Sequence, residues 1–369
     1  VREVIWLGDA TPIYPIGGKD PLLDHRDESR RWDVLTLKEA PAGTLDGVEA
    51  GTLEFNVNST IRGGGTLTWS GLDEPDWSKI LLQPWYVLRT AEMEISWPRG
   101  VFIPAAPVDS HSDTGKTVEV ELYDKLLILD QDKVDATYTV GKGANVVAAI
   151  RAVIGSAGQT RHAIEDNTQT LRSPMVWEAG TSKLRIANDL LDAVNYFSLW
   201  CDGYGVYQGN PYKAPSARPV VRRFVDDQNS IYSPDFTHDR DMFDIPNKVI
   251  QVGRGDGDTP GLVATATNTN PGNPYSYPSR GRWIVHVDTD VEATNQTTLD
   301  SIAARRLGQL SQVASTVDFT HAHVPLELND VVVFERGDRE LGLTATVQTM
   351  SISTTPGDLM QTKIREVTT

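Results

Sequence analysis

Alternation of apolar and polar residues dominates the first third of the chain. Leu53, Phe55 and Val57 fall on one face of the stretch 52–58, with Thr52, Glu54, Asn56 and Asn58 on the other, the period-two pattern of a half-buried strand. Related alternation runs through 33–37, 66–70, 86–89, 92–97 and 117–123, and Gly63-Gly64-Gly65 breaks the pattern ahead of 66–70. Short strands punctuated by turns predict a barrel or sandwich over 32–138.

The period then changes. Val146, Val147, Ile150, Val153 and Ile154 recur at helical spacing, with Asn145 placed to cap the start and Gly155 to end it. A second helix is expected from about 181 to 197, with Leu184, Ala187, Leu190, Leu191, Val194 and Phe197 along one side. Behind it, Asp202-Gly203 is a hairpin-turn signal. Asn247–Gly253 and Val263–Ala266 read as paired strands joined by the turn-rich stretch 254–261. The densest patterning lies at 283–335. It comprises an apolar run at Trp283–Val287, helical spacing at Leu299, Ile302, Ala303, Leu307 and Leu310, an alternating segment 316–323 and the β-branched run Val331–Phe334. That helix is expected to bury Leu299, Ile302, Leu307 and Leu310 against the strands at 283–287 and 331–334. No fixed-period repeat is present.

Composition narrows the class. At 369 residues the chain exceeds the span of a single core, so two or three domains are expected. A hydrophobic fraction of 39% with nine Trp supplies sizeable cores. Cys201 is the only cysteine, which excludes an intrachain disulfide and a cysteine-held zinc. The net charge of −16 argues against binding nucleic acid or an anionic membrane, both of which need clustered Lys and Arg. No apolar run approaches the roughly 20 residues that cross a bilayer. Val1–Trp6 lacks the long apolar core of a secretory leader, and a start at Val fits a processed or trimmed N-terminus. These features describe a soluble product that leaves the cytoplasm, if at all, inside a larger particle.

Candidate chemistry is sparse. The segment Gly253-Arg254-Gly255-Asp256-Gly257 has glycines spaced as in a phosphate loop but lacks the Lys-Ser/Thr pair. Asp256 and Asp258 lack the further ligands of a calcium loop, so a plain turn accounts for the segment. His321-Ala322-His323 sets two imidazoles on one strand face with no third ligand adjacent, the mark of an exposed or interface pair. A metal completed by symmetry-related chains is the alternative. Glu92/Glu94 and Glu119/Glu121 are carboxylate pairs at i, i+2 on alternating strands. They read as a wet strand face more readily than as a glycosidase pair. The charge run 24–31 reads as a solvated loop, with an arm clasping a neighbouring subunit as the sharper alternative. No catalytic residue, metal site or cofactor is expected.

The order of elements carries a resemblance. A strand is followed by a helix containing Ala304-Arg305-Arg306-Leu307, a strand, the turn Pro325-Leu326-Glu327-Leu328-Asn329-Asp330 and a final strand pair. This resembles the second tube domain of phage tail baseplate hub proteins, also called minor tail proteins. The helix Ala187-Asn188-Asp189-Leu190-Leu191-Asp192-Ala193-Val194-Asn195-Tyr196, running into an aromatic strand, resembles their middle domain. Gly51, Leu53, Phe55 and Val57 form a strand of the kind found in their first domain, and Asn247–Gly253 with the Gly281-Arg282 strand entry match the start of their last.

The resemblance implies a mainly β fold with α+β parts: an N-terminal strand and arm at 1–31, a first β-barrel-like tube domain at 32–138, an intervening α/β domain at 139–240 and a second β-barrel-like tube domain at 241–369. It also implies a trimeric ring that joins the six-fold tail tube to the tail tip and surrounds the channel for DNA and tape measure. The implied partners are two further copies, the tail tube or distal tail protein, the tape-measure protein and other tail-tip proteins. DNA would pass without specific binding, and this chain would insert in no membrane. The product would be made in the host cytoplasm and reside in the virion at the tail tip, as a structural protein and not an enzyme. Glu92, Glu94, Glu119 and Glu121 are then candidates for an acidic lumen wall. Two alternatives stay open: a carbohydrate- or receptor-binding tail module using exposed aromatics such as Tyr275 and Tyr277, and a tail-associated cell-wall glycosidase.

Overall fold

The computed structural model of the chain describes residues 4–6, 20–23, 26–90, 93–113, 115–228, 230–241, 245–255, 261–311 and 314–367. Its first part is all strand: β1 (Val4–Trp6), β2 (Asp27–Thr36), β3 (Pro41–Thr44), β4 (Val48–Asn56), β5 (Gly63–Trp69), β6 (Ile80–Arg89), β7 (Glu94–Pro98), β8 (Phe102–Ser112) and β9 (Gly115–Asp124). The described residues of the alternating stretches lie on these strands or within two residues of their ends. The front of β6 and the outer part of β8 show no alternation, for opposite reasons. Every residue from Leu81 to Leu88 is buried, whereas every residue from Ala106 to Ser112 is exposed, and neither condition produces a period of two.

The middle part follows as α1 (Leu126–Gln131), β10 (Tyr138–Val140), α2 (Val146–Ser156), β11 (His162–Ile164), β12 (Met175–Trp177), α3 (Lys183–Ala193), β13 (Trp200–Cys201) and β14 (Tyr207–Gly209). Asn145 caps α2 as expected, its Oδ1 accepting from Ala148 N at 2.8 Å. The helix passes through Gly155, however, and the left-handed residue that ends it is Gly158, at φ +75°. Ser182 caps α3, which stops at Ala193 because Asn195 turns left-handed at φ +58°. Phe197 therefore lies beyond the helix, packed on Tyr212 with ring centroids 5.1 Å apart. The 202–206 turn closes the β13–β14 hairpin, with Asp202 Oδ1 accepting from the amides of Tyr204 and Val206. Its left-handed position is Gly205, not Gly203.

The last part holds β15 (Val220–Val225), β16 (Tyr232–Asp241), β17 (Lys248–Gly253), β18 (Val263–Thr267), α4 (Tyr277–Arg280), β19 (Val285–Val291), α5 (Gln296–Ser311), β20 (Ala314–His321), β21 (Val331–Arg336), β22 (Leu341–Ser353) and β23 (Met360–Glu366). Residues 220–240, placed by sequence in the intervening stretch, supply most of two strands to the large sheet: β15 beside β21 and β16 beside β20. Between β16 and β20 the chain leaves that sheet and builds a separate three-stranded one, ordered β18-β17-β19, with α5 on one face.

The packing of α5 differs from the sequence expectation. Leu299, Ile302 and Ala303 are buried, but Leu307 and Leu310 are only half-buried. The helix packs on β17 and β18 rather than on 331–334, because those residues belong to the other sheet.

The large sheet has fifteen strands and unites both ends of the chain. Its seam is the antiparallel pair β4–β22, in register from Thr349↔Asn56 to Ser353↔Thr52. One hydrophobic core runs across the seam, from Leu67, Trp69 and Val120 to Phe319, Phe334, Ile352 and Ile364. A second core, with Val147, Ile150, Leu190 and Leu191, fills the middle part.

Leu299 is fully buried against Ala264 and Ala303. Leu299→Ala should therefore cost about 2–5 kcal/mol, the usual range for emptying a buried leucine site. Leu307→Ala should cost less. Chemical denaturation of the two variants checks the order.

Candidate channel wall and buried joint

Eight strands of the large sheet, β8-β9-β5-β4-β22-β23-β20-β16, form one continuous face in which every neighbouring pair is antiparallel. Strand alternation sends one set of side chains to the core and the other set outward. The outward rows follow from the register. Glu121 stands beside Thr66, itself beside Thr52; Glu54 beside Ser351 and Gln361; Lys363 beside Asp318 and Thr237. The charged side chains that register places on this face include the carboxylates Glu54, Glu119, Glu121, Asp239 and Asp318 and the cations Lys363 and Arg365.

Of the four carboxylates singled out from sequence, Glu119 and Glu121 share one face and Glu94 lies apart from them. Glu119 and Glu121 are exposed on the outward face, where Tyr123 donates its hydroxyl to Glu121 at 2.8 Å. Glu94 is half-buried on β7, which pairs with β6 and β1 away from that face, and its Oε2 lies 2.6 Å from Arg89 Nε. Glu92 lies outside the described residues, as do Asp256 and Asp258.

His321 and His323 are not exposed: both are fully buried, at the meeting of the two halves of the sheet. Tyr86 of β6 stacks on His323 with centroids 4.9 Å apart and backs on Trp97. Three arginines of the first half reach across. Arg99 donates to Val324 O at 2.8 Å and to Leu326 O. Arg26 donates to Tyr86 Oη and to His323 O while paired with Glu28. Arg30 lies over the Tyr86 ring and 3.1 Å from His323 Nε2. His321 lies 2.7 Å by Nδ1 from Ala322 O and 2.9 Å by Nε2 from Thr362 Oγ1. A neutral ring satisfies both contacts by donating to the carbonyl and accepting from the hydroxyl.

Electrostatics agree with neutral imidazoles. Burial pushes His321 down to about 3, and burial with the Arg30 and Arg99 charges pushes His323 down to about 2. Burial likewise lowers Arg99 to about 9. No group of three or more His, Cys, Asp or Glu suited to a metal ion occurs among the described residues. The arginine partners went unnoticed in the sequence, although Arg99 interrupts an apolar stretch between Trp97 and Phe102. A charge in that setting signals a buried donor.

Other charged contacts fix the middle part and the inserted sheet. Glu39, in the β2–β3 turn, accepts from Lys125 Nζ and from Arg161 at 2.5 Å. Lys125 is fully buried and also donates to Gly205 O at 2.7 Å. Arg305 of α5 reaches Asp192 and Tyr196 O, each at 3.0 Å, and Thr294 donates to Gln169 at 2.9 Å. A polar cleft of about 1140 Å³ remains between these elements.

No family model matches the sequence, and no curated protein matches it. Solved structures do. The tail protein from Neisseria meningitidis MC58 superposes with a TM-score of 0.66 at 13% identity, covering 92% of this chain and 97% of its own. The 43 kDa tail protein of prophage MuSo2 from Shewanella oneidensis gives 0.62 at 11% identity, covering 91% and 98%. Prophage tail protein gp18 from Listeria monocytogenes EGD-e gives 0.57 at 10% identity, covering 91% and 94%. The chain thus has the fold of phage tail proteins, the class to which its motifs pointed, over nearly its full length.

The buried groups set an acid response. Each histidine has a folded value below its ordinary 6.5, so the unfolded chain binds the extra proton and stability falls as pH drops below about 6.5. Asp124 and Asp330 oppose this. Burial raises both from 3.8 to about 6, so the folded chain gains protons between 6 and 3.8. Asp124→Asn should remove one compensating site and make thermal stability fall more steeply from pH 6 to pH 4 than in the unaltered protein. Melting curves across that range check it.

Proposed function

We propose that this chain is a structural hub protein of a tailed phage, forming a trimeric ring around the channel at the tail tip with its eight-strand face turned to the axis. The observation that carries this reading is the state of that face's two ends. Among the described residues, β16 at one end pairs only with β20, and at the other β8 beyond Phe102 pairs only with β9. Because seven antiparallel pairings lead from β8 to β16, the two strands run in opposite directions. Copies joined β16 to β8 therefore continue the antiparallel alternation, and a heterologous contact of this kind makes a ring when the rotation between copies closes; a third of a turn per copy gives the trimer. Pro104, Pro107 and Pro234 on these edge strands limit uncontrolled pairing.

The face divides at the β4–β22 seam into two four-stranded halves, β8-β9-β5-β4 and β22-β23-β20-β16. Three copies would thus present six similar units to a six-fold tail tube. The carboxylate excess on the face suits a duct for DNA, since phosphates are held by Lys and Arg and repelled by carboxylates within about 8–10 Å. In this role the chain contacts the tail tube or distal tail protein, the tape-measure protein and other tip proteins, and catalyses nothing. The ion pair of Glu94 with Arg89 and the separation of Glu94 from Glu119 and Glu121 favour this over a glycosidase.

Light scattering of the purified chain, or symmetry in assembled tails, should show trimers. A chain that stays monomeric in both settings overturns the reading. Replacing Glu54, Glu119 and Glu121 by Lys should leave the trimer intact and slow genome delivery.

A further inference from the structure

Two cavities share part of their lining where the three parts of the chain come together. One is the polar cleft described above. The other, of about 660 Å³, is walled by Val101 and Phe102 of the first part, Trp200 of the middle part and Leu326, Leu328 and Met350 of the last. Its size falls within the roughly 300–1,000 Å³ of small-molecule sites, which are likewise mostly apolar with a few placed polar groups. Arg62, Phe197, Arg218 and Asn329 line both cavities and form the rim between them.

The rim carries a surplus of donors. Arg62, between β4 and β5, is half-buried, and among the described residues no hydrogen bond or ion pair engages its guanidinium. Asp124, which lines the apolar cavity, acts on it only as a nearby charge. Arg218 lies over the Phe197 ring, 5.6 Å from its centroid, and donates from Nη1 to Asn329 O at 2.6 Å. Its Nε is buried with no acceptor among the described residues. Burial lowers both arginines from their ordinary value. Arg254, Arg305 and Arg306 of the polar cleft differ, each pairing with a carboxylate, at 3.1, 3.0 and 3.2 Å. Acids of the apolar cavity are engaged by the backbone. Asp124 accepts from the amides of Gly63 and Leu126, Asp202 from those of Tyr204 and Val206, and Asp330 from that of Glu327. Unmatched guanidinium donors in a desolvated setting favour an acceptor supplied from outside the chain.

We propose that the apolar cavity binds a singly charged carboxylate carried on an apolar body, with the body among Phe102, Leu326 and Met350 and the carboxylate at the rim, on Arg62 and Arg218. The planar guanidinium fork matches carboxylate and phosphate alike, and two features of the site choose between them. The apolar walls take an apolar body, and the carboxylates Asp124 and Asp330 oppose a second negative charge on the ligand. Two sources carry this chemistry: a free aromatic or fatty acid, and the C-terminal residue of another polypeptide. The site is built within one copy, so it stands apart from the ring reading above. The aromatic pair considered for glycans offers less, since Tyr275 is buried and Tyr277 stacks on Trp283 with centroids 4.3 Å apart.

Calorimetry on the full chain tests this with four probes: naphthoate, its neutral counterpart naphthamide, the peptide acetyl-Ala-Ala-Phe and that peptide's C-terminal amide. At least one acid should bind about tenfold or more tightly than its amide, because the charge-assisted bonds to guanidinium go with the charge. Arg62→Gln should weaken that acid by about tenfold or more, and leave the amide's binding and the melting temperature of the ligand-free chain unchanged. Arg218→Lys keeps the charge but loses the planar fork, and should weaken the acid as well. It carries the test if Arg62→Gln fails to fold. Whichever acid binds more tightly names the source, a free acid or a chain terminus. Failure of both acids to bind, equal binding of each acid and its amide, or an acid affinity indifferent to both substitutions overturns the proposal. So does inorganic phosphate that displaces the acid at equal concentration.

Discussion

The architecture depends on the burial of arginine donors from the first half of the sheet against carbonyls of the second. Apolar packing along the β4–β22 seam supplies attraction, but apolar contacts are non-directional and tolerate sliding. Hydrogen bonds from Arg26 and Arg99 to the backbone at 323–326 do not. Burying these guanidinium groups is costly, and the cost is offset only when their donors find acceptors in one arrangement. The aromatic stack of Tyr86 between Trp97 and His323 completes the enclosure. The seam thereby acquires a fixed arrangement as well as adhesion.

Residue patterning exposed the parts of this fold where one side of an element is wet and the other dry. Strands β4 and β9 and helices α2 and α3 were legible for that reason, and Asn145 declared its capping role outright. Elements with two similar faces were not legible: β6 is buried on both sides and the outer half of β8 is exposed on both. Helix ends were misread where glycine or asparagine a few residues further on held the left-handed position. The buried histidines were visible as a pair, but their environment was not, because Arg26, Arg30 and Arg99 lie more than 200 residues away in sequence. Nor does spacing reveal that α5 covers an inserted sheet. Its apolar stripe would look the same against any partner.

The surplus of acid has a structural address. Several arginines serve inside the molecule, at the seam, at Glu39 and across the polar cleft, where they bridge elements rather than face solvent. Carboxylates are left over on outward strand faces, Glu54, Glu119 and Glu121 among them. The net charge of −16 counts those internal cations too, so it does not by itself measure how acidic the outward strand faces are. Composition alone cannot separate the two.

The inserted sheet enters and leaves through a single rung, with Asp241 opposite Ala314. A segment tethered this way interrupts no strand and shifts no register in the sheet that carries it, and it holds its own small core. Lineages can therefore lengthen, replace or discard it while the surrounding frame stays intact. Divergence should concentrate there, since a change in what the structure must fit outside itself can be met at that site without rebuilding the large sheet.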